Sequence, residues 1–236
     1  MTKTEFYSEH PFFFMHIVNC YEHEEQIVIT VSSYQDPSVF DTQYLHTLRS
    51  GGIDDDGTRA EGHQYVIPLN IDLRKDVEEN VNLVRVPNSK AKAYRHDNHI
   101  VLSPEILTKK GLEFPTINKE RTGRNHRFYF ASGLTSVGLF KNCVCKIDVD
   151  RKLTTTWVGE EHKAYGEATF VCNPDVDYED PEQEDNGVLI VPSSDYRADA
   201  TDVIVFLDPK DMTEIARAEF RTQITPSIHG LFVPSY

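Results

Sequence analysis

Residues 12–22 read FFFMHIVNCYE and place one histidine, His16, inside an apolar and aromatic run. The segment that follows, residues 26–34, is rich in β-branched side chains and is terminated by Asp36-Pro37, so it is predicted to be a strand. A second histidine, His229, has similar surroundings in SIHGLF near the other end of the chain. A buried imidazole needs a hydrogen-bond acceptor or a metal, which makes both histidines candidates for a functional site. On spacing alone, a hydrogen-bonded core histidine is the simpler interpretation of each.

Short extended segments separated by turn signals continue along the chain, and few windows have helical periodicity. This pattern predicts an all-β architecture, with one short helix over residues 40–48. The segments expected to be extended are residues 26–34, 64–69, 69–73, 82–86, 100–102, 127–132, 142–148, 153–157, 168–171, 187–191, 202–207 and 214–220.

Composition narrows the class of protein. The chain has 236 residues, a mass of 27.0 kDa, a formal net charge of -14 and a pI near 5.1. This acidic balance argues against nucleic acid as a partner and against electrostatic docking on anionic lipid. The first residues lack the features of a secretory signal, and no window reaches the roughly 18 apolar residues of a membrane span. The sequence therefore predicts a soluble, cytoplasmic protein with no transmembrane segment.

Four cysteines, at positions 20, 143, 145 and 172, are too few and too scattered for a disulfide framework. Cys143 and Cys145 are expected on one face of a strand, where buried packing is favoured over zinc binding. The acidic segment 173–186 has low hydrophobicity and is predicted to be a mobile surface loop.

Glu113 lies among Leu112, Phe114 and Pro115. A carboxylate in apolar company must be paired or change its protonation state. It is therefore either a surface glutamate at a strand end or the hydrogen-bond partner of an interior imidazole.

Five collinear motifs resemble the carotenoid cleavage oxygenases, the family of the β-carotene oxygenases and the retinal pigment epithelium isomerase. They cover nearly the whole chain and follow the family's order. The motifs are His16-x-x-Asn19-x-Tyr21-Glu22, LEFPTIN at residues 112–118, GEATFV at residues 166–171, the paired segments beginning at Asp185 and Asp208, and HGLF at residues 229–232.

This resemblance implies a seven-bladed β-propeller with antiparallel blades and a ferrous iron, Fe(2+), on its axis. His16 and His229 match the third and fourth of the family's four histidine ligands. Glu113 and Glu167 match glutamates that hydrogen-bond ligand histidines, with Glu113 serving His16 and Glu167 serving His229. Such carboxylates fix the tautomer and orientation of the imidazole. Phe114 is implied to line the apolar substrate tunnel.

The three residues Phe12 to Phe14 could also reach that tunnel, although core packing is the simpler expectation for them.

The first two histidines of the family pattern would lie upstream of the matched region. His46, His63, His96 and His99 lack the surrounding pattern to replace them. The expectation is therefore a single, incomplete propeller domain over residues 1–236, the C-terminal part of an oxygenase and inactive alone. Peripheral membrane contact through the missing parts stays open.

The resemblance implies an iron dioxygenase that uses O2 to cleave a double bond of a carotenoid or apocarotenoid, within carotenoid and retinoid metabolism. Two alternatives remain: an isomerohydrolase acting on retinoids, and a binding protein without catalysis that retains an apolar groove for isoprenoids. The sequence does not separate these three functions.

Overall fold

Strands dominate the computed structural model, as the short extended segments predict. It describes residues 4–50, 56–73, 78–133, 142–177, 180–197, 199–224 and 229–234. The strands are β1 (Glu5–Ser8), β2 (Phe13–His23), β3 (Gln26–Tyr34), β4 (Glu61–Pro68), β5 (Lys92–His96), β6 (His99–Ser103), β7 (Glu105–Ile106), β8 (Leu112–Thr116), β9 (Phe128–Gly133), β10 (Cys143–Asp148), β11 (Leu153–Val158), β12 (Lys163–Tyr165), β13 (Thr169–Cys172), β14 (Gly187–Asp195), β15 (Val203–Leu207) and β16 (Glu214–Glu219).

Helical structure is short. The predicted helix over residues 40–48 is present but divided, because a 3-10 helix (Pro37–Gln43) and helix α1 (Leu45–Arg49) are separated by an extended residue, Tyr44. Other 3-10 turns are Asp56–Thr58, Lys119–Arg121 and Pro181–Gln183. In the described ranges, no helix has the length and apolar character needed to cross a bilayer.

The described strands form four sheets. The first sheet has the order β1-β6-β5, the second β2-β3-β4-β7, and the third β8-β9-β10-β11. In the fourth sheet β14 is flanked by β12 and β13 on one side and by β15 and β16 on the other. Every pairing of these strands is antiparallel except that of β1 with β6.

The core consists of separate layers between successive sheets. Val31 of the second sheet clusters with Ile100 of the first, Val18 of the second with Ile147 of the third, and Val144 of the third with Val205 of the fourth. The sheets therefore follow one another face to face, which is how propeller blades pack. This fold is the expected all-β, partial propeller.

Most strand predictions are confirmed, including β3, the β10–β11 hairpin and the β14–β15–β16 meander. The aromatic segment that carries His16 does not merely precede a strand but is itself the long strand β2. The segments 69–73 and 82–86 are not strands. In residues 82–86, hydrogen bonds to the Gln26 side chain take the place of bonds to a neighbouring strand. The Gln26 amide donates to the Leu83 carbonyl and accepts from the Arg85 N–H.

The prediction of a mobile surface loop for residues 173–186 is wrong at its C-terminal end. Glu184 and Asp185 are buried. The Glu184 carboxylate accepts the backbone N–H groups of Arg127 and Phe128, and Asp185 pairs with Lys146 at 2.5 Å. The acidic composition predicts that these side chains are exposed to solvent. Their burial is possible because hydrogen-bond donors at the start of β9 and on β10 replace the lost water. Residues 178–179 lie outside the described ranges.

Cys143 and Cys145 are buried in the layer between the second and third sheets, which confirms the packing prediction. All four cysteines are free thiols.

Asn19 fastens β2 to the segment that precedes β9. Its two amide N–H groups donate to the carbonyls of Arg121 and Arg124, one of them shared with Nδ1 of His126 at 3.2 Å, while its carbonyl accepts the N–H of Gly123. His126 is 2 % exposed, and burial lowers its pKa to about 4. Since Asn19 donates to Nδ1, the bond requires the neutral imidazole.

We predict that His126 makes the chain less stable as the pH is lowered. His126 binds a proton near pH 6.5 in the unfolded chain but only near pH 4 in the folded chain. The stability that depends on the neutral ring is therefore fully present above pH 6.5 and is lost as the pH falls from 6.5 to 4. The full loss amounts to about 3 kcal/mol. Urea denaturation at pH 7 and pH 4.5 should show a smaller decline for His126→Gln than for the wild type. The exposed-turn control His96→Gln should decline like the wild type, and equal declines in all three proteins would refute the assignment.

Candidate metal centre

Two histidines from opposite ends of the chain meet at one point. The ring centres of His16, on β2, and His229, after β16, are 5.3 Å apart with an interplanar angle of 74°. The Phe114 ring, on β8, packs edge-on against both, with centre separations of 5.8 Å to His16 and 6.0 Å to His229. The folded chain thus brings together three residues that its sequence widely separates.

His16 owes its direction to irregularities in β2. The pairing of β2 with β3 shifts register between Phe14 and His16 and again between Ile17 and Asn19. A bulge re-aims the side chains that follow it, and bulges are common beside functional sites. His16 is turned toward the third sheet, where its Nδ1 lies 2.6 Å from Oε2 of Glu113.

Glu113 is 4 % exposed, and three described residues lie within hydrogen-bond distance of its carboxylate. Its Oε2 accepts from His16 Nδ1 and from the Phe114 N–H, each at 2.6 Å, and its Oε1 accepts from the Tyr34 hydroxyl at 2.7 Å. The Phe114 N–H and the Tyr34 hydroxyl are the fixed donors, and the carboxylate also accepts from His16 because imidazole is the stronger base and keeps the proton on Nδ1. Burial, followed by the charge of this carboxylate, raises the pKa of Tyr34 far above its usual value, so the phenol remains a donor.

Phe114 has an unusual backbone. Its φ of 55° lies in the left-handed region, which is uncommon for a bulky residue, and it falls within the register shift between Glu113 and Thr116 in the β8–β9 pairing. Strain of this kind, about 1–3 kcal/mol, persists only where surrounding contacts enforce it. Here the strained turn directs the Phe114 ring to the two imidazoles and its N–H to Glu113.

Glu167 stands at the start of the fourth sheet. The preceding residue, Gly166, is held by its N–H, which donates to the Pro192 carbonyl at 2.9 Å, and by its carbonyl, which accepts from the Ser132 hydroxyl. The Glu167 Oε2 then lies 3.2 Å from Nδ1 of His229 and 3.3 Å from the Gly230 nitrogen. Each of the two histidines therefore has a carboxylate on its Nδ1.

The two histidine–glutamate pairs differ in exposure. The side chains of His16 and Glu113 are 23 % and 5 % exposed, whereas those of His229 and Glu167 are 57 % and 17 % exposed. The His16 pair is part of the packed interior, and the His229 pair forms an open side of the site.

The donor set suits ferrous iron in kind. An ionised carboxylate on Nδ1 requires that nitrogen to carry the proton, which leaves the lone pair on Nε2, the arrangement of a metal-binding histidine with a carboxylate behind it. Rings that share one ion through nitrogens about 2.1 Å from it have centres roughly 4.5–5.5 Å apart, and the observed 5.3 Å falls in this range. Imidazole is also a suitable ligand for iron.

The donor set falls short in number. Within the described ranges, no group of three or more histidine, cysteine or acidic side chains is arranged to hold a metal ion. His63 is instead bonded to Glu61, and His96 and His99 flank the turn of the β5–β6 hairpin. Two imidazoles are therefore what this part of the chain can offer.

The aromatic run before His16 does not pack as expected. Phe12 and Phe14 are 36 % and 41 % exposed and stack on each other, so the prediction of core packing is wrong for them. Phe13 points to the other face and packs against the buried Tyr34 cluster. Alternation along the strand exposes two of the three rings and covers the third.

Tyr34 is a site residue that motif reasoning missed. Its phenol completes the set of donors on Glu113, and it lies at the end of β3 opposite Phe13. A signal was available, because a tyrosine that ends a buried strand needs a partner for its hydroxyl.

The chain is similar in sequence to proteins of one known family. Residues 2–234 match the sequence model of the RPE65 family, described as retinal pigment epithelial membrane protein. Over 236 aligned residues the chain is 30 % identical to rat beta,beta-carotene 15,15'-dioxygenase, covering 98 % of this chain and 39 % of the relative. It is 26 % identical to the carotenoid isomerooxygenase of Drosophila melanogaster, covering 97 % of this chain and 47 % of the relative. The chain thus spans less than half the length of these curated relatives.

Solved structures share the fold. A cobalt-substituted ACO (apocarotenoid oxygenase) of Synechocystis superposes with a TM-score of 0.69 at 17 % identity, over 93 % of this chain and 39 % of that one. The D477G variant of an ACO/RPE65 chimera gives the same TM-score and identity over 92 % of this chain and 38 % of that one.

We predict that Tyr34→Phe destabilises the chain by about 2 kcal/mol, because it leaves one buried oxygen of the Glu113 carboxylate without its donor. Tyr94→Phe, on β5, is the matched control, since no hydrogen bond of its hydroxyl occurs among the described residues. Urea denaturation of the two variants measures the difference. Equal unfolding midpoints for the two variants would show that the Tyr34 hydroxyl does not support Glu113.

Proposed function

The chain belongs to the RPE65 family of carotenoid oxygenases. We propose that it is part of a non-haem iron(II) dioxygenase that cleaves a double bond of a carotenoid or apocarotenoid with O2. The observation that supports the proposal most strongly is the meeting of His16 and His229, each with a carboxylate on Nδ1, beside one phenylalanine. The relatives named for carotenoid dioxygenase and isomerooxygenase activities favour the same reaction class.

His16 and His229 would hold the iron through Nε2. When bound, ferrous iron would supply the redox chemistry that activates dioxygen. Glu113 and Glu167 would hold Nδ1–H of each ring and so keep the lone pair of Nε2 directed at the ion. Neutral imidazoles leave the charge of the ion undiminished, whereas carboxylate ligands would reduce it.

Phe114 would contact the substrate. Its ring packs against both imidazoles and is fixed by a strained backbone, so an apolar polyene lying on it would be held next to the iron. The exposed rings of Phe12 and Phe14 do not extend this surface, because Phe14 is paired with Ser33 whereas His16 is paired with Ser32, which points to the opposite face of the sheet.

The described part of the chain would not turn over alone. Two imidazoles bind iron more weakly than a larger ligand set, and the described residues provide no third ligand. We therefore infer that activity needs further ligands beyond this pair.

A second candidate is a binding protein for isoprenoids without catalysis. The incomplete ligand set and the exposed aromatic rings at Phe12 and Phe14 favour it. A retinoid isomerohydrolase is a further alternative for the same iron site, and the similarity to a carotenoid isomerooxygenase keeps it open. To separate cleavage from isomerisation, the chain is joined to the N-terminal part of a longer family member and supplied with β-carotene or a retinyl ester. Chromatography then identifies the products.

We predict that His16→Ala and His229→Ala each abolish Fe(2+) binding by the chain, measured by anaerobic calorimetric titration. Glu113→Gln should weaken binding by roughly 10- to 100-fold, because the amide no longer holds the imidazole proton as a carboxylate does. His96→Ala, in the exposed turn between β5 and β6, is the matched control and should bind like the wild type.

If His16→Ala and His96→Ala bind iron equally well, the proposed metal site is wrong. If the wild type binds no iron but a carotenoid still shows a shifted absorption band in its presence, the isoprenoid-binding function replaces the proposal.

A further inference from the structure

Ser132 places a hydroxyl group in an apolar layer of the core. It lies on β9 and is 0 % exposed. Alternation along the strand puts its side chain on the same face as Phe130, which packs between the third and fourth sheets, and its partner on β10, Val144, belongs to the same layer. A buried hydroxyl is costly unless it is hydrogen-bonded. An alanine here would avoid that cost, so the acceptor of the hydroxyl indicates what the serine does.

The acceptor lies beside one of the two carboxylates of the candidate metal centre. The Ser132 hydroxyl donates to the Gly166 carbonyl at 2.5 Å, and this carbonyl belongs to the peptide group that joins Gly166 to Glu167. On the other side of Gly166, its N–H donates to the Pro192 carbonyl at 2.9 Å. Ala168, which follows Glu167, is buried in the same apolar layer as Phe130. The backbone is therefore fixed on both sides of Glu167, and one of its fixed points is the Ser132 hydroxyl.

The same residue is paired with the other carboxylate. The backbone of Ser132 lies directly across the β8–β9 ladder from that of Glu113. Glu113 has its Oε2 at 2.6 Å from Nδ1 of His16. Glu167 has its Oε2 at 3.2 Å from Nδ1 of His229. The ladder pairing and the hydroxyl bond of Ser132 thus connect the two carboxylates that stand behind the two imidazoles.

The two carboxylates differ in how much they depend on their backbone. Glu113 also accepts from the Tyr34 hydroxyl and the Phe114 N–H. In the part of the chain that the structure describes, the hydrogen bonds of the Glu167 carboxylate are with His229 and the Gly230 N–H. Neither of these groups belongs to the packed interior, since the His229 side chain is 57 % exposed. The direction of Glu167 therefore depends on the peptide that Ser132 holds.

We propose that Ser132 is a positioning residue of the metal site, whose hydroxyl holds the Gly166 carbonyl so that Glu167 meets Nδ1 of His229. This role rests on the proposed function, because it supports one of the two iron ligands. Ser132 acts only through Glu167. Its loss should change the proton on His229 and leave His16 as it is.

The test compares Ser132→Ala with Ser193→Ala. Ser193 on β14 is a matched control, because it is a buried serine whose hydroxyl donates to a backbone carbonyl, that of Val203, at 3.1 Å. Each variant loses one buried hydrogen bond of the same type, so urea denaturation should show similar losses of stability. A difference at the histidines then reports position rather than stability.

Long-range ¹H–¹⁵N NMR of the metal-free chains at neutral pH measures the tautomer of each ring. In Ser132→Ala, His229 should lose its preference for a proton on Nδ1, whereas His16 should keep it. Ser193→Ala should leave both rings as in the wild type. Ser132→Cys keeps the volume of the side chain but donates only weakly, so it should change His229 in the same direction, and it decides the question if Ser132→Ala does not fold.

Fe(2+) titration of the same chains by anaerobic calorimetry gives the consequence for the metal. Ser132→Ala should bind Fe(2+) about tenfold more weakly than Ser193→Ala, the lower end of the effect of removing a partner of a ligand histidine. The proposal is overturned if His229 keeps the wild-type tautomer in every folded Ser132 variant, or if Ser193→Ala changes it equally. A wild type that binds no Fe(2+) refutes the iron function instead, and a change at His229 in Ser132→Ala alone then still supports the positioning role.

Discussion

The buried carboxylate of Glu113 is the constraint on which the rest of the site depends. It receives bonds from β2 through His16, from β3 through Tyr34, and from its own strand through the Phe114 N–H. These donors connect the second and third sheets at one point, and each is needed because an ionised, buried carboxylate is costly without them. The same interaction that joins the two sheets fixes the orientation of the candidate ligand.

The face-to-face order of the sheets explains why the site can be assembled at all. β2 and β8 are edge strands of their sheets, and Glu167 lies between β12 and β13 of the fourth. Functional residues at equivalent edges of successive sheets converge, although they are far apart in sequence. His229 also lies at this edge, where its Nδ1 is 3.2 Å from Oε2 of Glu167.

Sequence reasoning reached the all-β class and most strands, because alternation and turn signals such as those around Gln26–Tyr34 are local. It could also name His16, His229 and the two glutamates, but only through resemblance. It could not find Tyr34, the bulges of β2 or the positive φ of Phe114, since these depend on pairing between distant segments. It failed at Glu184 for the same reason, because the donors that bury this carboxylate come from β9.

The central claim is that both histidines present Nε2 to a metal while their Nδ1–H groups are held by carboxylates. Long-range ¹H–¹⁵N NMR of the metal-free chain at neutral pH reports the tautomer of each ring directly. The account predicts protonated Nδ1 and unprotonated Nε2 in both His16 and His229, and a shift of the Nε2 resonances when a diamagnetic divalent ion is added. Protons on Nε2 with bare Nδ1 in the metal-free chain would contradict it.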